Sequence, residues 1–385
     1  MKNAIFFSPN FPPNYKSFAK ALKSSGARVL GLADDSYNQL SQDLKDNLTE
    51  YYKVENMHNY DELIRGIAYF IHKYGKIDIL DSHSEYWLET EAQLRDDFNI
   101  PGLRGKDMKY IKAKSEMKKI YQKLGLRVAK GKVVKSFDEA KSWITEIGYP
   151  VIAKPDIGVG ASATYKIHNL HELETAYETI SNHSYIIEEF ISGQIHSFDG
   201  IADWNSEPVF FTSHVFSTPV MDVVNKDDHI YYYSQREISP ILEEAGRRCL
   251  KGFNVKNRFF HLEFFYTPKG EFVPLEVNIR PPGGLTADMF NYACEINVFQ
   301  IWADLVINGV NKIEYSRKFH CSYVGRKNNK TYKNSHSEVL NKYGQFIVLN
   351  QEMPVVYRGA LGDYCYITRA EKLDKIIEMA EFIQA

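Results

Sequence analysis

Phe259-Phe260-His261-Leu262-Glu263-Phe264-Phe265-Tyr266 turns through Thr267-Pro268-Lys269-Gly270 into Glu271-Phe272-Val273-Pro274-Leu275-Glu276-Val277-Asn278-Ile279-Arg280. Apolar runs of roughly 4 to 8 residues on either side of a Pro/Gly turn read as two antiparallel strands, with side chains alternating between faces. With Thr267 paired to Gly270 across a two-residue loop, Phe260, Leu262, Phe264, Val273, Leu275, Val277 and Ile279 fall on one face, which must be core. His261, Glu263, Glu276, Asn278 and Arg280 share the other. In that register Glu263 and Glu276 are diagonal neighbours, with Cα atoms about 7 to 8 Å apart. Their carboxylates converge, and with the Asn278 amide oxygen they form a hard ligand set. Such a set suits Mg²⁺, which takes a few carboxylates plus substrate phosphates rather than an all-protein cage. Arg280 adds positive charge alongside.

Around this hairpin lie 385 residues, 44% hydrophobic and 25% charged, enough for two or three soluble domains. A formal charge of -2 gives no electrostatic footprint for nucleic acid or an anionic membrane. Cys249, Cys294, Cys321 and Cys365 are far apart and form no C-x-x-C pair, so neither a zinc site nor a disulfide scaffold is indicated, and reduced thiols in a cytoplasm are expected. The apolar run Ala4-Ile5-Phe6-Phe7 is too short for a signal peptide, and no stretch approaches about 18 apolar residues, so neither secretion nor membrane insertion is expected.

From Ala4 to about Gly105 strand and helix patterns alternate, which predicts a small parallel sheet covered by helices. In such sheets ligands bind beyond the carboxyl ends of strands, which makes the loops Ser8 to Asn14 and Asp81 to Trp87, with His83 and Glu85, candidate substrate contacts. Residues 106 to 125 read as a basic amphipathic helix. After Gly125 come short strands near Lys132, Val151, Ala163 and Tyr185, separated by helices at about 137–147 and 171–181, a compact α+β unit. An antiparallel region follows from Ser197 to Ile279, broken by a polar, Tyr-rich loop at about 218–235. Beyond Asn308 short strands return, ending in a helix from about Ala370. These patterns divide the chain at about 105 and 310, with residues 311–385 an α+β segment completing the core and a lid subdomain at about 130–190.

Lys154-Pro155-Asp156-Ile157-Gly158-Val159-Gly160-Ala161-Ser162 has the makings of a phosphate loop: glycines let backbone N–H groups approach closely, and a lysine and a hydroxyl stand by. It lacks the G-x-x-x-x-G-K-[ST] spacing, and a strand rather than a helix follows its glycines, so neither a P-loop nor a dinucleotide fingerprint is indicated. After Arg280, Pro281-Pro282-Gly283-Gly284 leads into a helix near Thr286 to Ile296, whose N-terminal N–H groups could hold an anion.

Taken in order, these residues resemble the ATP-grasp superfamily of ADP-forming ligases. The order is a lysine in a basic helix, a lysine before a Gly-rich loop, a Glu-Glu-aromatic-aliphatic strand end, then Glu, Glu-x-Asn and Arg. The resemblance implies an ATP-grasp fold over about 106–310, preceded by a small Rossmann-like parallel α/β domain. It makes Lys114 and Lys154 the phosphate lysines and Gly158, Gly160, Ala161 and Ser162 a flap over the triphosphate. Glu188, Glu189, Phe190 and Ile191 become the adenine hinge, and Glu263, Glu276 and Asn278 the ligands of Mg²⁺ or Mn²⁺, two ions in all. Ile195 stands where many relatives carry a ribose-binding glutamate, which leaves His196, Gln194, a water or a changed nucleotide pose to take its place.

The resemblance further implies that a carboxylate attacks the γ-phosphate of ATP and that an amine converts the acylphosphate to an amide. Lys154 and Arg280 would then be catalytic, and Arg280, Gly283, Gly284, His83 and Glu85 would hold the acid and amine. Length and the Glu-x-Asn-x-Arg arrangement are closest to amino-acid or dipeptide ligases. Biotin-carboxylase-like carboxylation and a non-catalytic nucleotide-binding regulator are the rivals. A homodimer is the commonest closed assembly.

Overall fold

A computed structural model describes residues 1–158, 163–180, 184–217 and 228–385. Three sheets carry the chain. The first is parallel, in the order β3-β2-β1-β4, from β1 (Asn3–Phe7), β2 (Arg28–Ala33), β3 (Glu50–Lys53) and β4 (Ile79–Asp81). Strand β1 is apolar at nearly every position and buried throughout, as expected of a parallel strand covered on both faces. The helices Lys16–Ser24 and Tyr60–Tyr74 cover it, and the latter ends at Gly75, with φ 83°.

The second sheet, antiparallel, runs β5-β8-β6-β7, from β5 (Gly131–Val134), β6 (Val151–Pro155), β7 (Tyr165–Ile167) and β8 (Tyr185–Glu189). Its helices Phe137–Ile147 and Leu170–Ile180 lie where the pattern predicts them. The basic stretch at 106–125 forms two helices instead of one, Gly105–Lys112 and Lys114–Lys123, because Ala113 is extended (φ -87°, ψ 116°). This break places Lys114 at the start of a helix whose Met117 and Tyr121 are buried.

The third sheet has nine strands: β9 (Gln194–Ala202), β10 (Pro208–Thr212), β11 (His214–Phe216), β12 (Tyr231–Ser234), β13 (Arg258–Tyr266), β14 (Phe272–Asn278), β15 (His320–Arg326), β16 (Ile347–Glu352) and β17 (Tyr364–Ala370). Their order is β14-β13-β9-β11-β12-β15-β17-β16, with β10 also on β9, so one sheet joins the hairpin to the C-terminal strands.

The hairpin departs from the expected register. Thr267 pairs with Glu271 instead of Gly270, and Gly270 takes the left-handed backbone (φ 78°) that a three-residue loop requires. A second slip lies between Glu263 and Phe264 opposite Pro274 and Leu275, where proline has no N–H to donate to the ladder. Together they set Glu263 directly opposite Glu276, not diagonal to it, and His261 opposite Asn278. Leu275, expected in the core, is half-buried instead.

The first sheet packs on the third. Phe18 meets Phe259, Phe299 and Trp302 edge to face, with centroids 5.5, 4.9 and 5.4 Å away. Beside them Arg258 of β13 reaches Asp81 at 3.1 Å and Glu91 at 3.6 Å, all three buried.

Candidate functional site

A cavity of about 480 Å³ opens between the second and third sheets. Its floor is the polar face of the hairpin: His261, Glu263, Glu276, Asn278 and Arg280 all line it, and Leu275 joins them through the register slip. Glu276 Oε1 lies 3.2 Å from Lys114 Nζ, which also donates to the Gly158 carbonyl at 3.1 Å. Burial opposes charge on Glu263, but the neighbouring His261 holds its carboxyl below the usual range. Two facing carboxylates and an amide oxygen fit Mg²⁺. Among the described residues no cluster of three or more His, Cys, Asp or Glu is arranged to hold a metal by itself.

Arg280 donates to Pro281 O at 2.8 Å and to Asn278 Oδ1 at 3.3 Å, and its Nε stands 3.4 Å from Glu85 Oε2 as an ion pair. Glu85, from the loop after β4, thus reaches the site through Arg280 without lining the cavity itself. His83, two residues earlier, does not. It is wholly buried, stacked on Phe18 at 3.9 Å and set against Trp302 at 4.3 Å, so the expected substrate contact is a core residue. Gly283 and Gly284 line the cavity, and a Cβ at Gly284 (φ 64°) would fall 2.4 Å from Leu361 Cδ1, so that side chain would have to move.

On the opposite wall Glu188 is buried between two lysines, Lys118 Nζ at 2.7 Å and Lys154 Nζ at 2.8 Å. Burial alone would raise its pKa, yet Lys154 and then Lys118 hold it down to about 2. Burial likewise disfavours the charge on Lys154, but Glu188, Glu276 and Glu263 outweigh it and raise the pKa. For Lys118 burial wins and its pKa falls. Lys118 also donates to Ala129 O at 2.8 Å. Its signal in the sequence is spacing: four residues after Lys114, it shares a helix face with it.

The loop after Lys154 is anchored to the same helix. Ser115 N and Oγ donate to the Asp156 carboxylate at 2.7 and 2.8 Å, and Lys114 N to the Asp156 carbonyl at 2.9 Å. Gly158 lines the cavity; Gly160, Ala161 and Ser162 lie outside the described residues, as do residues 218–227 of the Tyr-rich loop. Glu189, Phe190 and Ile191 line the far end with Ile195, and Lys166 stands 3.8 Å over the Phe190 ring. His196 is not among the lining residues. Strand alternation turns it to the other face of β9, against Tyr266 and Phe272, so it cannot stand in for the missing glutamate. One wall had no sequence signal at all: Val356, Tyr357, Ala360 and Leu361 of the helix Val355–Leu361, brought in from beyond β16.

A family model for the ATP-grasp domain matches residues 147–288. The chain is 25% identical over 248 residues to an L-arginine-specific L-amino acid ligase of Bacillus subtilis, a match over 62% of this chain and 60% of that ligase. It therefore spans less than two thirds of that relative's length. The structure resembles an L-amino acid ligase from Bacillus licheniformis with a TM-score of 0.74, covering 99% of this chain and 96% of the other at 13% identity. A biotin carboxylase from Campylobacter jejuni gives 0.73, with 98% and 89% covered at 15% identity. At such identities the likeness is one of fold.

Proposed function

We propose that this ATP-grasp domain protein is an ATP-dependent ligase that joins a small carboxylic acid to an amine, with amino acids as substrates, releasing ADP and phosphate. One observation carries the reading: Glu263, Glu276, Asn278 and Arg280 face Lys114, Lys118 and Lys154 across a single cavity.

Phosphoryl transfer asks the protein for charge neutralisation and alignment more than for covalent help. The cations are matched by carboxylates of the chain, Lys154 and Lys118 by Glu188 and Lys114 by Glu276. A triphosphate offers the same lysines anionic oxygens without leaving either side buried and unpaired. Glu263, Glu276 and Asn278 would hold Mg²⁺, which would supply further charge neutralisation at the phosphates. Arg280, a planar fork beside these residues, clamps the substrate carboxylate and then the acylphosphate, while Glu85 keeps the guanidinium from turning away. The apolar walls Ile152, Phe190, Ile191 and Leu275 exclude water, which protects the acylphosphate until the amine arrives. The amine then takes the acyl group, and phosphate leaves. Four buried free cysteines accord with a reducing, cytoplasmic setting, and no described helix is long and apolar enough to cross a membrane.

The test is ADP and phosphate release with Mg-ATP across a matrix of amino acids, small carboxylic acids and bicarbonate, with mass spectrometry of products. Release that needs one acid and one amine, with a product lighter than their sum by one water, is expected. Release driven by bicarbonate alone would favour carboxylation, and binding of Mg-ATP without any stimulated release would favour a regulator.

A further inference from the structure

We propose that His261 is a positioning residue that holds the Glu263 carboxylate for its metal, and that a buried aspartate, Asp199, holds His261. The inference rests on the reading of Glu263 and Glu276 as metal ligands. The sheet register lays out two adjacent rows across β9, β13 and β14: Ser197, Glu263 and Glu276 in one, Asp199, His261 and Asn278 in the next. The metal face therefore continues onto β9, where Asp199 is completely inaccessible.

A buried carboxylate persists only if its oxygens are satisfied. Asp199 meets His261 Nδ1 at 2.5 Å through one oxygen and His214 Nδ1 at 2.7 Å through the other, which also accepts from Ser197 Oγ. Neither Asp199, His214 nor Ser197 lines the cavity; His261 does. With Nδ1 engaged by Asp199, the ring geometry sends Nε2 the other way, and there it stands 3.6 Å from Glu263 Oε1. A histidine serving only to satisfy Asp199 would need Nδ1 alone. The placement of Nε2 against the metal-facing carboxylate is the further fact, and partners that orient a ligating carboxylate change metal affinity by roughly 10 to 100-fold.

Asparagine and glutamine separate the two roles, because an Asn amide falls near the place of Nδ1 and a Gln amide near that of Nε2. Mn²⁺ binding to the full chain with ADP, followed by electron paramagnetic resonance, should weaken by roughly 10 to 100-fold in His261→Asn and by clearly less in His261→Gln, which keeps a donor at the place of Nε2 but loses the hold of Asp199. ADP affinity in the presence of chelator should be unchanged in both. Equal Mn²⁺ affinity in all three proteins, or retention in the Asn variant with loss in the Gln variant, overturns the proposal. Independently of variants, the Nε2 resonance of His261 in ¹⁵N-histidine-labelled wild type should move when Mg²⁺ is added to the ADP complex, while that of exposed His171 stays. An unmoved His261 overturns it equally. Wild type that binds no Mn²⁺ with ADP sinks the metal assignment and this inference together, whereas binding indifferent to residue 261 sinks this inference alone.

Discussion

At Glu188 one carboxylate neutralises two buried ammoniums, so its removal is felt first by the empty protein. Glu188→Gln leaves Lys118 and Lys154 close together without their shared counter-ion. Breaking a buried pair from one side costs about 3 to 5 kcal/mol, so the ATP-free variant should melt well below wild type. ATP brings the anions that Glu188 supplied, and its stabilising shift should therefore be larger in the variant; a shift equal to that of wild type in thermal melts would sink the assignment of these lysines to the phosphates. Glu276→Gln behaves differently. Glu276 lies at the cavity surface with one ion-pair partner, Lys114, so the fold should survive while phosphoryl transfer falls by at least about 100-fold. Normal turnover by that variant would overturn the metal assignment. Residues of this kind are legible in sequence because charge on an alternating strand face has few structural uses. His83 and His196 mislead for the complementary reason: a histidine in a loop or after a hinge reads as polar, and only packing shows that its ring is used as an aromatic one.

Among elements, the hairpin was legible in its alternation and illegible in its register. Type and faces follow from period-two patterning, but the pairing depends on Gly270 taking a left-handed backbone and on Pro274 interrupting the ladder, two local events that shift the partner of Glu263. An alanine Cβ at 270 would meet only the Tyr266 hydroxyl, at 3.8 Å, yet the residue must adopt φ 78°, so Gly270→Ala should cost about 1 to 2 kcal/mol, measured by denaturant unfolding. No cost would mean that the loop can rearrange, and with it the register. The wall Val355–Leu361 was illegible altogether, since a seven-residue helix beyond β16 reaches the cavity only through the sheet order that sets β15 beside β12 and β17 beside β15. The sheet β5-β8-β6-β7 forms its own body with a separate apolar core around Val151, Ala153, Tyr185 and Ile187. Its strands meet the rest of the site through Lys118–Glu188 and the Asp156 anchor, contacts that nucleotide is expected to draw together. Hydrogen exchange in β6 and β8 should slow on adding Mg-ATP, and unchanged exchange there would count against closure as a lid.

On the scale of the whole molecule, the parallel sheet and the nine-stranded sheet pack together, and His83 sits inside their contact. Its ring is wedged between Phe18 and Trp302, and neither ring nitrogen finds a hydrogen-bond partner among the described residues. The charged groups facing it are Asp81, Arg258 and Arg95, of which only Asp81 favours a protonated ring. Burial dominates, and the pKa is pushed down from 6.5 to about 4. The sign follows directly. Above pH 6.5 the ring is neutral in both folded and unfolded chains and titration costs nothing. Between 6.5 and 4 the unfolded chain binds a proton that the folded chain refuses, so stability falls as pH drops through that window, by up to about 3 kcal/mol. His83→Phe keeps an aromatic ring against Phe18 and Trp302 while removing the titration. Urea unfolding at intervals from pH 7 to 4 should give a steep loss for wild type and a shallower one for the variant, with the two curves separating only below about 6.5. Parallel curves would mean that the His83 ring does not carry the acid sensitivity of this interface. A shallower variant curve would trace the acid sensitivity of this interface to a histidine kept neutral by its burial.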